Sequence, residues 1–312
     1  MQVIKKSLFL YGTFFLFLGK NLCADPFPIT FCIPEEKIVN HIPKKTRDFA
    51  FLIPGDLSTY IYKTEKEYYD AYQCSYYAIT KKKGGWDCLR HYEILANGCI
   101  PYFLDLDQCD SQTMYFLPKA LIKEAMNIEG VSLGGIDHKR FNRKKYYKIL
   151  GKLLDYTRNN LTTKRMAGYV LNTIGYSGSG KILFLAKETS PDYLRCLLLV
   201  GLKELLQDRV VDYPKIEHIY KNYQGEDQLY GRGFTYTKIV DDLPVNRNNI
   251  EERIRNKEFD LVIYGSIHRG CLLHDIVKSV YQPEEIIYFC GEDDHKCIFF
   301  NQSNLFLREF TQ

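Results

Sequence analysis

Residues 81–104 have the sequence KKKGGWDCLRHYEILANGCIPYFL, which predicts a loop, a helix, a turn and a buried strand in succession. Gly84 and Gly85 end a basic loop, and Asp87 is placed to cap the helix or to lie in its first turn. Apolar side chains then recur at helical spacing, at Leu89, Tyr92, Leu95 and Ala96. Gly98 stands where a left-handed C-terminal cap is expected, and the apolar residues after it predict a strand.

The start of this helix is a candidate anion site. A helix N-terminus that follows glycines presents unpaired backbone N–H groups and the positive end of the helix dipole, and both favour a phosphate. Arg90 is placed to bind the same anion through two N–H groups. Glu93, one turn further, carries an acceptor-only carboxylate that suits a pair of sugar hydroxyls. The alternative is that Arg90 and Glu93 form an ordinary surface ion pair.

Residues 89–101 resemble the Arg-x-x-Glu-Ala-Leu-x-x-Gly-Cys-Ile-Pro signature of exostosin-like glycosyltransferases. More loosely, they are similar to the nucleotide-sugar site of other two-domain (GT-B) glycosyltransferases. The resemblance implies that the helix N-terminus and Arg90 contact the donor diphosphate, while Glu93 contacts the ribose. It is confined to this part of the chain, departs from the signature at Ile94 and implies no catalytic base. The donor-binding residues predicted in this way are Gly84, Gly85, Asp87, Arg90 and Glu93.

Length and composition favour an ordinary globular protein. A chain of 312 residues is long enough for two domains with their own cores. The formal net charge of +4 is too small to indicate nucleic-acid binding, although the basic run 81–83 suits an anionic ligand.

The N-terminus predicts a secretory signal peptide over residues 1–24. Lys5 and Lys6 precede an apolar run at 7–19 that is too short to span a bilayer, and Ala24 is a small residue before the expected cleavage point. A buried first strand or helix is the alternative. A signal peptide favours the secretory pathway or a periplasm, whereas nucleotide-sugar use favours the cytoplasm or the Golgi lumen, so the localisation stays open.

The chain has ten cysteines but no Cys-x-x-Cys pair. If the protein is exported, Cys290 and Cys297 are candidates for a disulfide around a short loop. On ligand type alone, Cys271 and His274 could join His295 and Cys297 in a zinc site, but these spacings match no common zinc module.

Strands and helices alternate along both halves of the chain, which predicts a mostly parallel sheet covered by helices. Helices are expected at 141–159 and at 162–174, the second capped by Thr162. The segment 175–181, GYSGSGK, matches the phosphate-binding loop of NTPases. However, a helix precedes it and a strand follows it, so we interpret it as an interdomain linker, with nucleotide binding as the alternative.

Polar residues follow several predicted strands, at the positions where parallel sheets bind ligands. Ser266, His268 and Arg269 follow one strand, and the run 291–295 follows the next. The loop 230–234 is placed to fold over a sugar. Another acidic group follows the strand after the signature and offers a divalent-metal site or a solvated loop, at Asp105, Asp107 and Asp110.

These observations predict an α/β protein with two Rossmann-like domains of GT-B type, at residues 25–177 and 178–312. The donor-type half comes first, whereas GT-B enzymes normally carry it second. The predicted activity is transfer of a sugar, of hexosyltransferase type, from a nucleotide sugar to a glycan or another hydroxyl acceptor. The candidates for a catalytic base, chosen for chemistry and position, are His268, Asp293 and Asp294.

The sequence requires no resident cofactor, with a divalent metal as the alternative, and neither nucleic acid nor a stable transmembrane span is expected. The competing function is a non-catalytic, glycosyltransferase-like module that binds a glycan or a nucleotide. A third possibility is an NTPase built on residues 175–181.

Overall fold

The structure is a computed structural model that describes residues 25–293, 297 and 304–310. It is an α/β fold with one six-stranded and one three-stranded parallel sheet. A separate pair of short strands forms an antiparallel hairpin. The predicted signal peptide, Asp294 and His295 lie outside the described residues.

The described strands, in chain order, are β1 (Phe27–Pro28), β2 (Arg47–Phe49), β3 (Ser75–Thr80), β4 (Ile100–Phe103), β5 (Val131–Ser132), β6 (Gly135–Ile136), β7 (Ile182–Leu185), β8 (Val210–Tyr213), β9 (Leu261–Tyr264), β10 (Ile286–Cys290) and β11 (Leu305–Leu307). The described α-helices are α1 (Glu65–Gln73), α2 (Leu89–Ala96), α3 (Lys119–Met126), α4 (Arg143–Asn160), α5 (Thr163–Thr173), α6 (Tyr193–Leu206), α7 (Ile250–Arg255) and α8 (His274–Val280).

The larger sheet has the strand order β1-β11-β10-β9-β7-β8, and each neighbouring pair is parallel. Its central strands are continuous apolar runs; all four residues of β7 and all four of β9 are buried. Such runs are typical of sheets covered on both faces. The chain places β8 on one side of β7 and β9 on the other, so the strand order reverses between β7 and β9. Ligand sites of open α/β sheets usually lie at such a reversal, beyond the carboxyl ends of the strands.

The smaller sheet has the order β2-β3-β4 and carries the signature stretch. Strand β3 leads into the glycine loop, α2 follows, and β4 returns parallel to β3, with Tyr77 opposite Ile100. The predicted left-handed residue after α2 is confirmed, since Gly98 has a φ of +61°. The predicted capping role of Asp87 is wrong, because Cys88 occupies the N-cap position and its side chain makes no capping hydrogen bond.

A continuous apolar core links the two sheets. One cluster of buried side chains includes Leu95 of α2, Leu150 of α4, Leu197 of α6 and Phe306 of β11. Helices α5 and α6 approach closely at Gly201, where an added Cβ would lie 2.1 Å from the Thr163 carbonyl oxygen. Residues on both sides of the predicted boundary at 177/178 therefore share one core.

Two predicted helix starts can be compared with the structure. The Thr162 cap is confirmed, since its Oγ1 accepts a hydrogen bond from the Arg165 N–H at 3.3 Å. The sequence Ser-Pro-Asp at 190–192 predicts another start, with proline at the first helical position. Helix α6 does begin here, but Asp192 is its N-cap and accepts from the Arg195 N–H at 3.0 Å, so Pro191 precedes the helix. The segment 175–181 connects α5 to β7, and the Gly180 N–H donates to Asp260 Oδ2 at 3.1 Å. A carboxylate therefore lies against this glycine-rich segment.

Two further predictions concern covalent and membrane features. The disulfide between Cys290 and Cys297 is confirmed. Within the described ranges, no helix is both long enough and apolar enough to cross a membrane.

Candidate functional site

The glycine loop before α2 packs against acidic side chains from the carboxyl end of the larger sheet. A Cβ at Gly84 would lie 2.2 Å from Asp293 Oδ2, and a Cβ at Gly85 would lie 2.4 Å from Glu309 Oε1. Asp293 follows β10 and Glu309 follows β11, so both approach from strand ends. Glycine at both positions is what permits this contact between the two sheets.

Glu309 occupies the position where the sequence predicts an anion. Its side chain is 0% exposed, and its Oε1 accepts hydrogen bonds from the Asp87 N–H and from Arg308 Nη1, each at 2.8 Å. Its Oε2 is buried without a hydrogen-bond partner. Burial raises the pKa of Glu309 to about 7, against the opposing effect of Arg308. The loop N–H therefore binds a carboxyl group, which the chain itself supplies.

Arg308 is the buried cation that holds this contact together. Its Nε and Nη2 donate to the Gly291 carbonyl at 3.0 and 2.8 Å. The same guanidinium donates to the Asp87 carbonyl and to Asp293 Oδ1. With the bond to Glu309, the guanidinium makes five hydrogen bonds that link the end of β10 to the glycine loop, while the Asp293 side chain stays half-exposed.

The Asp87 side chain does not cap the helix; it links the backbone at Phe31 to a side chain of α2. Its Oδ2 accepts from the Phe31 N–H at 2.8 Å, and its Oδ1 accepts from the Tyr92 hydroxyl at 2.7 Å. Burial raises the pKa of Asp87 to about 6. Asp87 therefore contributes its backbone N–H to the predicted anion position, and its carboxylate has other partners.

His91 of α2 holds the end of the glycine loop through its ring nitrogens. The sequence did not reveal this role. Its Nε2 lies 2.9 Å from the Trp86 carbonyl and its Nδ1 lies 3.0 Å from Thr80 Oγ1. A carbonyl only accepts, so Nε2 carries the proton and Nδ1 accepts from the threonine hydroxyl. Burial, helped by the Arg90 charge, lowers the pKa of His91 to about 3, so the ring is neutral.

Arg90 and Glu93 do not form the surface ion pair that was the alternative reading of their spacing. Arg90 is partly buried; its Nη1 donates to the Tyr60 hydroxyl at 3.4 Å, and its Nε is buried without a partner. Glu93 is buried and accepts from the Tyr68 hydroxyl at 2.6 Å and from Thr235 Oγ1 at 2.5 Å. Burial raises the pKa of Glu93. The carboxylate thus holds two hydroxyl groups.

The segment around Thr235 closes over α1 and α2. The Thr235 N–H donates to Glu65 Oε1 at 2.6 Å, and the Thr235 hydroxyl lies 2.6 Å from the Tyr69 hydroxyl. The φ of Thr235 is +76°, which is unusual for a β-branched residue and indicates backbone strain. The neighbouring loop 230–234, predicted to fold over a sugar, packs here through Phe234, whose ring stacks on Tyr68 at 5.8 Å.

A second polar group lies at the reversal point between β7 and β9. Asp192 Oδ2 lies 3.2 Å from His268 Nε2, accepts from Ser266 Oγ at 3.1 Å and accepts from Arg269 Nε at 3.2 Å. Burial alone would raise the Asp192 pKa, but the His268 hydrogen bond and the Arg195 charge hold it well below its usual value. In the described part of the chain, no hydrogen bond or ion pair joins this group directly to Asp293.

The three acids after β4 have separate partners. Asp105 Oδ2 accepts from the Lys82 N–H at 3.1 Å, Asp107 pairs with Lys123, and Asp110 Oδ1 accepts from the Gln112 N–H at 2.7 Å. Over the described ranges, these carboxylates do not converge on a metal position. Of the proposed zinc ligands, Cys297 is bonded to Cys290 and His295 lies outside the described residues.

Two open cavities lie beside the site. Cavities of about 340 and 730 Å³ flank α1, the first lined by Lys37, Glu65 and Asn97 and the second by Arg47 and Tyr62 among others. The helix start and the Glu93 carboxylate are covered by the chain's own side chains.

Comparison with known proteins does not add to this description. The chain matches no protein-family model, no curated protein and no solved structure. The resemblance of residues 89–101 to the exostosin-like signature therefore stays a prediction, and any function has to be argued from the residues themselves.

Proposed function

We propose that the protein is a glycosyltransferase that moves a sugar from a nucleoside-diphosphate donor to a hydroxyl acceptor. One observation carries the proposal: the chain's own groups at this site have the chemistry of the donor. The side chain of Glu309 accepts a hydrogen bond from the Asp87 N–H at the helix start. The hydroxyls of Tyr68 and Thr235 donate hydrogen bonds to Glu93. A nucleoside diphosphate offers the same combination, an anion and a ribose diol.

Charge develops on the diphosphate as the sugar leaves, and fixed donors stabilise it most effectively. Arg90 has a buried Nε without a partner and is the side chain that the proposal assigns to this task, together with the N–H groups after Gly85. Glu93 would exchange the two protein hydroxyls for those of the ribose. Donor binding then requires Glu309 and Thr235 to move aside. The apparent affinity is reduced in proportion to the fraction of molecules in this open state.

An inverting transfer needs a base to accept the acceptor's proton. His268 is oriented by Asp192, and Asp293 lies against Gly84, so each is a candidate within the proposal. Asp294 lies outside the described residues. The two Rossmann-like halves of a GT-B enzyme are part of the same proposal, with the parallel sheets β2-β3-β4 and β1-β11-β10-β9-β7-β8 as their cores.

The test is a thermal-shift titration of the full chain with UDP, GDP and ADP. At a hundredfold excess over its dissociation constant, a ligand that binds only the folded state stabilises it by about 2.7 kcal/mol. We expect one nucleotide to raise Tm, and Arg90→Ala and Glu93→Gln to abolish the shift. Arg140→Ala is the matched control, because Arg140 is exposed and pairs with Glu129. Absence of a shift with all three nucleotides, in folded protein, would refute the donor site.

A non-catalytic binding module is the second candidate. Among the described residues, no hydrogen bond or ion pair joins Asp192 or His268 to the glycine loop, so the base candidate that Asp192 orients is not linked to the donor position. Incubation with the nucleotide sugar whose base gives a thermal shift separates the two candidates. Slow release of the free nucleoside diphosphate supports the enzyme, whereas binding without turnover supports the module.

A further inference from the structure

A histidine and two cysteines meet at the carboxyl end of the larger sheet. A ring nitrogen of His268 and the sulfur atoms of Cys290 and Cys297 all lie within 4.8 Å of one another. Among the described residues, this is the one group of three or more His, Cys, Asp or Glu side chains with its ligand atoms so close together. Cys290 ends β10 and His268 follows β9, which is its neighbour in the sheet, so hydrogen-bonded strands fix their positions.

The hydrogen bonding of His268 leaves one nitrogen available. Its Nε2 lies 3.2 Å from Asp192 Oδ2, and an ionised carboxylate only accepts, so Nε2 carries a proton. In the neutral imidazole, which is the form that binds metal ions, Nδ1 has the lone pair. This Nδ1 is buried without a partner in a side chain that is only 9% exposed. Buried polar atoms are nearly always hydrogen-bonded, so an unpartnered one calls for a ligand or a functional role.

We propose that reduction of the Cys290–Cys297 disulfide creates a binding site for a thiolate-seeking divalent metal ion such as Zn²⁺, held by both sulfurs and His268 Nδ1. The contact of His268 Nε2 with Asp192 Oδ2 at 3.2 Å matches the carboxylate–histidine–metal arrangement that orients histidine ligands in many metal sites. Water occupies the fourth position of a tetrahedral site with three protein ligands.

The distances suit this conversion. Zinc–sulfur bonds of about 2.3 Å and zinc–nitrogen bonds of about 2.0–2.1 Å place tetrahedral ligand atoms about 3.6–3.8 Å apart. A ring nitrogen of His268 and both sulfurs already lie within 4.8 Å of one another, so a small rearrangement after the disulfide breaks brings the three ligands to these distances. Both cysteines and Asp192 are buried, which shields the site from competing ligands.

The reaction balances with a named reductant. A phosphine gives an electron pair to the disulfide and takes oxygen from water, so one disulfide, one phosphine and one water yield two thiols and a phosphine oxide. Metal binding then displaces both thiol protons to solvent, since thiolates are the ligands. Disulfide and metal are mutually exclusive, so the redox state decides occupancy. This inference does not depend on the proposed glycosyltransferase function.

The test uses Co²⁺ as a spectroscopic substitute for Zn²⁺. The full chain is reduced with a phosphine, freed of reductant without air and titrated with Co²⁺ alone. We expect one equivalent to produce thiolate charge-transfer absorption and the visible bands of tetrahedral cobalt, which Zn²⁺ then displaces. Oxidised protein gives neither signal.

Variants assign the ligands. Cys290→Ser, Cys297→Ser and His268→Gln are expected to lose the tetrahedral spectrum, and Asp192→Asn to weaken binding by about 10- to 100-fold. Two free cysteines serve as controls and keep it: Cys271→Ser, near the carboxyl edge, and Cys196→Ser, whose sulfur lies 3.2 Å from His218 Nε2.

Three results would overturn the proposal: no cobalt spectrum in reduced, folded protein; a spectrum that survives His268→Gln; or one that only Cys196→Ser removes. His268→Gln keeps the disulfide and so tests the site even if a cysteine variant fails to fold. If the reduced chain unfolds, refolding on addition of one equivalent of Zn²⁺, followed by far-UV circular dichroism, supports the site. Failure to refold with metal counts against it.

Discussion

Glu309 makes the stability of the protein depend on pH around neutrality. Burial raises its pKa from the ordinary glutamate value of 4.5 to about 7, so the folded state holds a proton that the unfolded state releases. The protonated group therefore stabilises the fold fully below about pH 4.5, and this contribution is lost as the pH rises to about 7. At about 1.36 kcal/mol per pKa unit, the loss is on the order of 3 kcal/mol.

The measurement is urea unfolding of the wild type and Glu309→Gln at several pH values from about 5 to about 8. The wild type should lose stability relative to the variant as the pH rises. Other buried groups titrate in both proteins and cancel in the comparison: burial raises the pKa of Asp87 to about 6 and lowers those of His91 and His218 to about 3 and about 4. Parallel pH curves for the two proteins would contradict the raised pKa.

For individual residues, the sequence identified those of the signature but not their hydrogen-bond partners. Arg90 and Glu93 stood out because helical spacing and chemistry are local properties. Glu309 reaches Asp87 across 222 positions of the chain, and Thr235 reaches Glu93 across 142. No local pattern encodes such pairings, so the closed state of the site was not predictable. His91 was equally hidden, since its partners are a neighbouring threonine and a backbone carbonyl.

The glycine loop and α2 form an element whose geometry depends on the lack of a side chain at Gly85. An added Cβ would lie 2.4 Å from Glu309 Oε1 and 2.9 Å from its Cδ, so the buried Glu309 side chain would have to shift. We expect Gly85→Ala to destabilise the protein by about 1–3 kcal/mol, the usual cost of overpacking. Gly151→Ala in α4 is the control, because nothing lies within 4 Å of its Cβ position. Alanine there should be neutral or stabilising by up to about 1 kcal/mol.

A double-mutant cycle with Glu309→Ala locates the cause. Removing the carboxylate removes the atoms that the new Cβ meets, so Gly85→Ala should cost less in that background. Urea unfolding of the four proteins measures the coupling. Strict additivity would show that the cost of Gly85→Ala arises elsewhere, for example from the loop backbone.

The elements that the sequence predicted well are those with strong periodicity. Helix α4 was placed within two residues at its start and one at its end, and the strand that the sequence predicts at 75–80, before the basic loop, coincides with β3. Helix α3 was missed because Pro118 occupies its N-cap position and no side chain caps it, so the sequence carries no start signal. The pair β5–β6 was missed because two-residue strands are too short to show alternation.

For the molecule as a whole, the α/β class followed from alternation, but the relation of the halves did not. Strand β1 pairs with β11, so the start and the end of the described chain lie side by side in one sheet. Ile29 continues this contact by donating its N–H to the Leu307 carbonyl at 3.0 Å. Contacts of such sequence separation depend on tertiary packing, which the order of elements alone leaves undetermined.

The shared core predicts that both sheets unfold together. Trp86 is the single tryptophan of the chain, and it is buried in the glycine loop, where it reports on the contact between the sheets. Far-UV circular dichroism reports on all helices and strands. Because one apolar cluster runs from Leu95 to Phe306, the urea transitions followed by the two signals should coincide.

Arg308→Ala sharpens this test. It leaves Glu309 and Asp293 without their buried cation, which should destabilise the protein by about 3–5 kcal/mol. If the core is cooperative, both midpoints fall together, and Arg140→Ala leaves both in place. If instead Trp86 fluorescence changes first in the wild type and Arg308→Ala lowers only that transition, the halves fold independently, as residues 25–177 and 178–312 would as separate domains.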